Sequence, residues 1–297
     1  MKHSFLIFAL LLISPLIGCS KTIEPTDPDG IQQEEPKEYK YESAMWLWSS
    51  HATQEAIDHL VASGIETAIM NEYIFTAKGD FEACEWINNA AKKGISVHLW
   101  IQCFYSSGKW INPIKDGVPD QTLFDSIIEK AVKYAQMSNV SGIHLDYLRY
   151  PGTAYKTQGG TEAVTEFARQ LSDTLKKINP KIILSAAVMP ETTADIQYYG
   201  QNIPDLGKYL DVICPMVYKG NYKQKTEWIT TTSKWFLDNC GKAKVWVGLQ
   251  TYYSDESATS LPTLEMQEDI KAALKAGDVG VVFFRYGLFK WFTVNKF

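Results

Sequence analysis

The stretch Ser141-Gly142-Ile143-His144-Leu145-Asp146-Tyr147-Leu148-Arg149-Tyr150-Pro151 ends a β-type run in a carboxylate, an arginine and two tyrosines. Pro151-Gly152 then turns the chain away. A second carboxylate, Glu191, closes the next β-type run, Lys181 to Glu191. Two carboxylates facing each other across a sugar-sized gap can break a glycosidic bond. One protonates the leaving oxygen, while the other attacks the anomeric carbon or activates water. In this reading Asp146 is the nucleophile or base and Glu191 the general acid. The acid of such a pair keeps its proton near neutral pH only through burial or a neighbouring negative charge. A carboxylate separation of about 5–5.5 Å implies retention and about 6.5–9.5 Å inversion, and both stay open. Arg149 either pairs with Asp146 or binds an acid group of the substrate. The plainer alternative is that Asp146 caps a turn or pairs with Arg149 for stability.

Residues at the ends of β-type runs need a scaffold that brings those ends together. β-type runs alternate with helical segments along the whole chain. Met45–Trp48 is followed by a helix over 53–63, with Thr53 as N-cap and Gly64 as stop. Ile65–Tyr73 leads to a helix over 80–93 capped by Asp80, and Ile95–Gln102 to one over 121–138 after Asp120. The run ending at Asp146 precedes a helix over 161–178, and Lys181–Glu191 precedes a broken helical stretch over 193–210. Leu210–Tyr218, a helix over 224–239, Lys244–Tyr252, a helix over 263–276 and Gly280–Tyr286 complete the series. Short continuous apolar runs mark strands buried on both faces of a parallel sheet. Eight such units in roughly 250 residues predict an α/β fold of the (β/α)8 TIM-barrel type. Too few residues follow Tyr286 for a full last helix, so the eighth helix is expected to be short or missing.

Barrel enzymes carry their active sites at the C-terminal ends of the strands. The polar and aromatic residues found there are Trp48, Glu72, Trp100, Gln102, Arg149, Tyr150, Met216, Tyr218, Gln250, Tyr252, Arg285 and Tyr286. Together they form the expected substrate-binding rim, with Glu72 as the reserve carboxylate. Their aromatic rings suit stacking on sugars, although rings of the same types also fill cores.

The N-terminus reads as an export signal rather than as part of the fold. A basic start, Met1-Lys2-His3, precedes an apolar run, Phe5 to Ile13, that is too short to span a bilayer. Leu16-Ile17-Gly18-Cys19 follows it and resembles the lipobox of bacterial lipoproteins. That resemblance implies cleavage after residue 18, lipidation of Cys19 and anchoring at the bacterial cell envelope. Residues 19–43 are rich in Pro, Glu, Asp, Gln and Lys and read as a flexible tether, which leaves 44–297 for the barrel. The formal charge of −5 becomes −6 once Lys2 is removed with the signal. No basic stripe points to nucleic acid. Cys84, Cys103, Cys214 and Cys240 show neither metal-ligand spacing nor a regular disulfide pattern and are expected as buried free thiols. No cofactor or metal is expected. The expected partners are a carbohydrate substrate and the membrane, the latter through the lipid anchor, with the chain as a monomer.

Two family resemblances attach to the strand-four segment. Gly142-Ile-His144-Leu-Asp146-Tyr147 with Arg149-Tyr150-Pro151 looks like the strand-four motif of glycosyl-hydrolase-like barrel lipoprotein families related to the α-amylase superfamily. The amylases themselves have Gly-x-Arg-x-Asp there, with the Asp as nucleophile, and this chain has His144 at the Arg position. The segment is also similar, more weakly, to the Asp-x-x-Asp-x-Asp-x-Glu strand of glycoside hydrolase family 18. Aligned on it, Ser141, His144, Asp146 and Leu148 occupy the four acidic positions, so only Asp146 is acidic. Met216-x-Tyr218 resembles residues that line the cleft in that family. Both resemblances imply a hydrolase of glycosidic bonds. Loss of the family acid also leaves open a surface glycan-binding lipoprotein whose barrel has lost catalysis.

Overall fold

The structure is a computed structural model that describes residues 36–297. The proposed signal, Cys19 and the first part of the tether lie outside the described residues. Eight parallel strands close into a barrel. They are β1 (Ser43–Leu47), β2 (Thr67–Asn71), β3 (Ser96–Gln102), β4 (Val140–Asp146), β5 (Ile183–Val188), β6 (Val212–Pro215), β7 (Lys244–Gln250) and β8 (Gly280–Phe284). Each strand pairs with its sequence neighbours, and β1 closes on β8 through Ser43–Val281, Ala44–Val282 and Met45–Phe283.

The helices are α1 (Gln54–Ser63), α2 (Ile74–Lys92), α3 (Gln121–Ala135), α4 (Gly160–Ile178), α5 (Asp195–Tyr199), α6 (Ile203–Leu206), α7 (Thr226–Asn239) and α8 (Thr263–Leu274). Local chemistry sets their ends. The Thr53 side chain accepts from the Ala56 amide at the start of α1, and Gly64 ends that helix in the left-handed region at φ 73°. Asp120 accepts from the Leu123 amide and starts α3. Asp80, expected to start a helix, instead follows a kink at Gly79 inside α2, which begins at Ile74. No helix follows β8 among the described residues, so the helix that would close the last β/α unit, expected to be short or missing, is not formed there.

The segment 37–42 belongs to the folded unit, although the composition placed it in the tether. The Tyr41 hydroxyl donates to the Val294 carbonyl, the Tyr39 amide donates to Asn295, and the Tyr39 ring stacks on Phe297 at 4.8 Å. Its two tyrosines supply the apolar surface that the residues before them lack.

Strand alternation divides the core in two. Residues such as Met45, Ala68, Met70, Ile143 and Leu145 pack outward against the helices. Trp46, Ile69, Trp100, Ala187, Cys214, Trp246 and Val282 fill the barrel interior. Large interior side chains require small neighbours. A Cβ on Gly142 would stand 2.4 Å from the His98 ring, and one on Gly280 would stand 2.4 Å from Trp246. Cys103, Cys214 and Cys240 are buried, Cys84 is partly exposed, and all four are free thiols. No helix among the described residues is long and apolar enough to cross a membrane.

Candidate active site

β4 delivers Asp146 to the C-terminal rim of the barrel. Below it, on the same inward face, His144 is fully buried and fixed by two hydrogen bonds. The Trp46 indole N–H donates to its Nε2 at 3.0 Å, which leaves the proton on Nδ1 to be donated to Ser185 Oγ at 2.9 Å. Burial, with a smaller contribution from His98, lowers the His144 pKa to about 3. His144 is therefore a neutral floor and not a proton carrier.

Asp146 is held at both oxygens. Oδ1 accepts from the Tyr147 amide at 2.7 Å, and Oδ2 accepts from the Trp100 indole at 3.1 Å. Burial raises its pKa above the ordinary 3.8, against the opposing pull of the Tyr147 amide, the Arg149 charge and the Trp100 indole. The carboxylate lines a cavity of about 130 Å³ with Trp46, Trp48, Trp100, Tyr147, Arg149, Ala187, Met216, Tyr218 and Phe284. Trp48 packs on Trp100 at 4.7 Å, and Tyr218 stacks on Phe284 at 5.4 Å and 15°. Burial, then the Asp146 charge, pushes the Tyr218 phenol well up, so it stays protonated as a donor.

Arg149 and Arg285 flank this cavity. The Arg149 guanidinium lies over Trp110 at 4.7 Å, Tyr199 at 5.5 Å and Tyr147 at 5.6 Å. Trp110 comes from a two-stranded hairpin, Tyr105–Ser106 with Lys109–Trp110, whose Tyr105 stacks on Tyr147 at 4.4 Å. Arg285 lies over Tyr252 at 5.8 Å and over Trp48 and Phe284 at 6.0 Å.

Asp146 and five of the predicted rim residues therefore line one cavity: Trp48, Trp100, Arg149, Met216 and Tyr218. Tyr252 and Arg285 pack on its walls. Gln102 lies opposite Asp146 in the β3–β4 register, outside the lining. Gln250 is buried behind the wall, where it bonds Asn221 through both its Oε1 (3.3 Å) and Nε2 (3.0 Å) and fixes the loop after β6.

Four expected residues go elsewhere. Glu191 lies three residues beyond the end of β5 and does not line the cavity. Its Oε1 accepts from the Tyr222 hydroxyl at 2.7 Å and the Tyr199 hydroxyl at 2.9 Å. Its neighbour is Asp195, which is fully buried. Burial, then the Glu191 charge, raises the Asp195 pKa to about 8. Glu72 follows inward-facing Asn71 and so points to the helix layer, where Lys130 and the Tyr134 hydroxyl each donate to it at 3.0 Å. Tyr150 is buried behind the strand-four loop with its hydroxyl on Asn112, and Tyr286 turns outward to His59 and Trp291. Tyr147, Phe284 and Trp46 line the cavity without having been expected there. Trp46 was legible from alternation, two residues before Trp48.

The family model for glycosyl hydrolases family 18 matches residues 32–293. The chain belongs to this family. The fainter of the two sequence resemblances is thus the one the match supports. No curated protein sequence matches the chain. Among solved structures, the glycoside hydrolase domain of PgaB (BpsB) from Bordetella bronchiseptica is 10% identical, with a TM-score of 0.63 over 82% of this chain and 94% of that one. The spore cortex-lytic enzyme SleL of Bacillus cereus is 12% identical, with a TM-score of 0.63 over 87% and 73%. The chitinase RmChi1 of Rhizomucor miehei is 13% identical, with a TM-score of 0.57 over 83% and 95%. At such identities the likeness is one of fold. Within this family 18 chain, Leu148, at the position of the family acid, is fully buried in the outer core. Asp146 is the only carboxylate lining the rim cavity among the described residues.

Proposed function

We propose that the chain is a glycoside hydrolase whose reaction centre is the aromatic cavity at the barrel rim, with Asp146 as the group that moves the proton. The observation that carries this is the placement of Asp146. It is a fixed carboxylate in an apolar cavity, where burial raises its pKa. The two-carboxylate scheme with Glu191 as acid gains no support from the geometry, because the Glu191 oxygen that is bonded belongs to two tyrosines. A single enzyme carboxylate suits substrate-assisted hydrolysis, in which an amide substituent of the sugar attacks the anomeric carbon while the enzyme protonates the leaving oxygen. Trp48, Trp100 and Phe284 then supply the faces on which sugar rings stack.

Hydrolysis of a glycan panel by wild type, Asp146→Asn and Glu191→Gln tests this reading. Asp146→Asn is expected to lower kcat/KM by about 10²–10⁴-fold, and Glu191→Gln by less than about tenfold. Hydrolysis that survives Asp146→Asn refutes the assignment. One observation favours a second reading, glycan binding without turnover: Leu148 is apolar and buried where the family pattern has its acid. Binding of a glycan by wild type with no hydrolysis of any panel member would select it.

We further propose that the protein works at the bacterial cell envelope, held by lipid on Cys19. The Leu16-Ile17-Gly18-Cys19 order after an apolar run supports this. Incorporation of labelled fatty acid that persists in Cys19→Ala would overturn it.

A further inference from the structure

The chain has three arginines. Arg169 is spent on helix α4, paired with Glu166 and Asp173 at 2.7 Å. The other two, Arg149 and Arg285, flank the rim cavity, and neither forms an ion pair among the described residues. A guanidinium carries five N–H donors. Arg149 uses one, from Nη1 to the Tyr150 carbonyl at 3.1 Å, and the Arg285 side chain makes no hydrogen bond among the described residues. The Nε of each is buried without a partner.

The Arg149 charge reaches Asp146, but no hydrogen bond or ion pair joins the two among the described residues, so Asp146 does not satisfy the guanidinium's donors. The aromatic rings fix both guanidinium planes and lower the entropy lost when a ligand is bound, yet they satisfy no N–H donor. A buried unpaired donor is costly, so a site built this way favours an occupant that supplies acceptors.

From this we infer that the cavity selects an acidic glycan, with Arg149 and Arg285 binding an oxyanion substituent of the sugar, a carboxylate or a sulfate ester. A planar guanidinium matches either group with two parallel hydrogen bonds. The inference rests on the cavity being the glycan site proposed above and adds the charge of its ligand.

The test is calorimetric binding of matched oligosaccharides of alternating N-acetylhexosamine and uronic acid. They are used as isolated, after reduction of the carboxyl to an alcohol, and with sulfate esters on the reduced form. Wild type is expected to bind the carboxylate form about ten- to a hundredfold more tightly than the reduced form, and rising ionic strength should narrow the gap. If the sulfated reduced form regains the affinity, sulfate is the recognised group; if it does not, the carboxylate is. Arg285→Gln and Arg149→Gln should each shrink the ratio of acidic-form to reduced-form affinity. Equal binding of acidic and reduced forms by wild type overturns the inference, as does a preference that both variants retain. Turnover on the same ligands is read separately. Acidic preference without hydrolysis removes the hydrolase reading and leaves this one. Hydrolysis indifferent to charge does the reverse.

Discussion

The Asp195→Asn substitution should stabilise the protein at neutral pH and flatten its stability between about pH 4 and 8. Asp195 is fully buried beside Glu191, and its pKa is raised from 3.8 to about 8 by burial and then by the Glu191 charge. Between those values the folded state holds a proton that the unfolded chain has released. The unfolded state binds fewer protons, so unfolding free energy falls as pH rises across the window. Below about pH 4 both states are protonated and there is no cost; above about pH 8 both are ionised and the cost is complete. The 3.2 pH units between 3.8 and 7, at about 1.4 kcal/mol each, amount to about 4 kcal/mol at pH 7. An amide in place of the Asp195 carboxyl removes this ionisation, and its N–H can donate to Glu191 Oε2, which lacks a partner. Tyr199 and Tyr222, the other titratable neighbours, have raised phenol pKa values and stay protonated throughout. Urea unfolding of wild type and Asp195→Asn at unit steps from pH 4 to 8 measures the difference directly. The variant's advantage should grow with pH and reach a few kcal/mol at pH 7. An advantage independent of pH, or a loss of stability at pH 7, would show that no proton is held at this pair.

Three further outcomes follow from other parts of the structure. Gly142→Ala places a Cβ 2.4 Å from the His98 ring and should cost about 1–3 kcal/mol in thermal or chemical unfolding, with part of the loss restored by His98→Ala. Trp100→Phe removes the donor to Asp146 Oδ2, which favours the ionised form, so the limb of the pH–rate profile set by Asp146 should move to higher pH; an unmoved profile would detach that limb from Asp146. Glu72→Gln disturbs the contacts with Lys130 and Tyr134 and should lower stability by about 1–3 kcal/mol, measured by unfolding, with glycan affinity unchanged.

The barrel was legible because eight apolar runs alternate with capped helical segments, and the caps at Thr53 and Asp120 form as read. Asp146, Arg149, Trp48 and Trp100 were legible because strand ends carry them to one rim. Glu191 misled because β5 stops at Val188, and the residues after it form a turn that carries the side chain behind the wall. Glu72 and Tyr286 misled for a different reason. Position at a strand end says nothing of side until parity is fixed, and inward-facing Ile69 fixes it against Glu72, while Tyr286 lies two residues past the end of β8, where strand alternation no longer holds. The Arg149 clamp was beyond sequence reading, since Trp110 and Tyr199 reach it from segments 39 and 50 residues away.

The replacements along β4 bear on one another. Of the four acidic positions in the family pattern, this chain keeps one. His144 is neutral and satisfied by Trp46 and Ser185, and Leu148 joins the outer core. A neutral His144 on the barrel floor adds no negative charge to oppose a second anion beside Asp146. With Asp146 ionised, the rim cavity and its flanks carry one negative and two positive charges, on a chain whose formal net charge is −5. Two guanidiniums on an aromatic-walled cavity give an anion a place to bind on an otherwise acidic protein, although Asp255 behind Tyr252 and Glu191 behind Tyr199 offset part of their charge. If an acidic ligand occupies the cavity, the apolar residue at position 148 and the two unpaired Nε groups both favour it. Reintroducing the family residue by Leu148→Glu would test the first of these. The variant should bind acidic oligosaccharides more weakly and leave neutral ones unaffected, whereas an equal loss for both would reduce the effect to a damaged core.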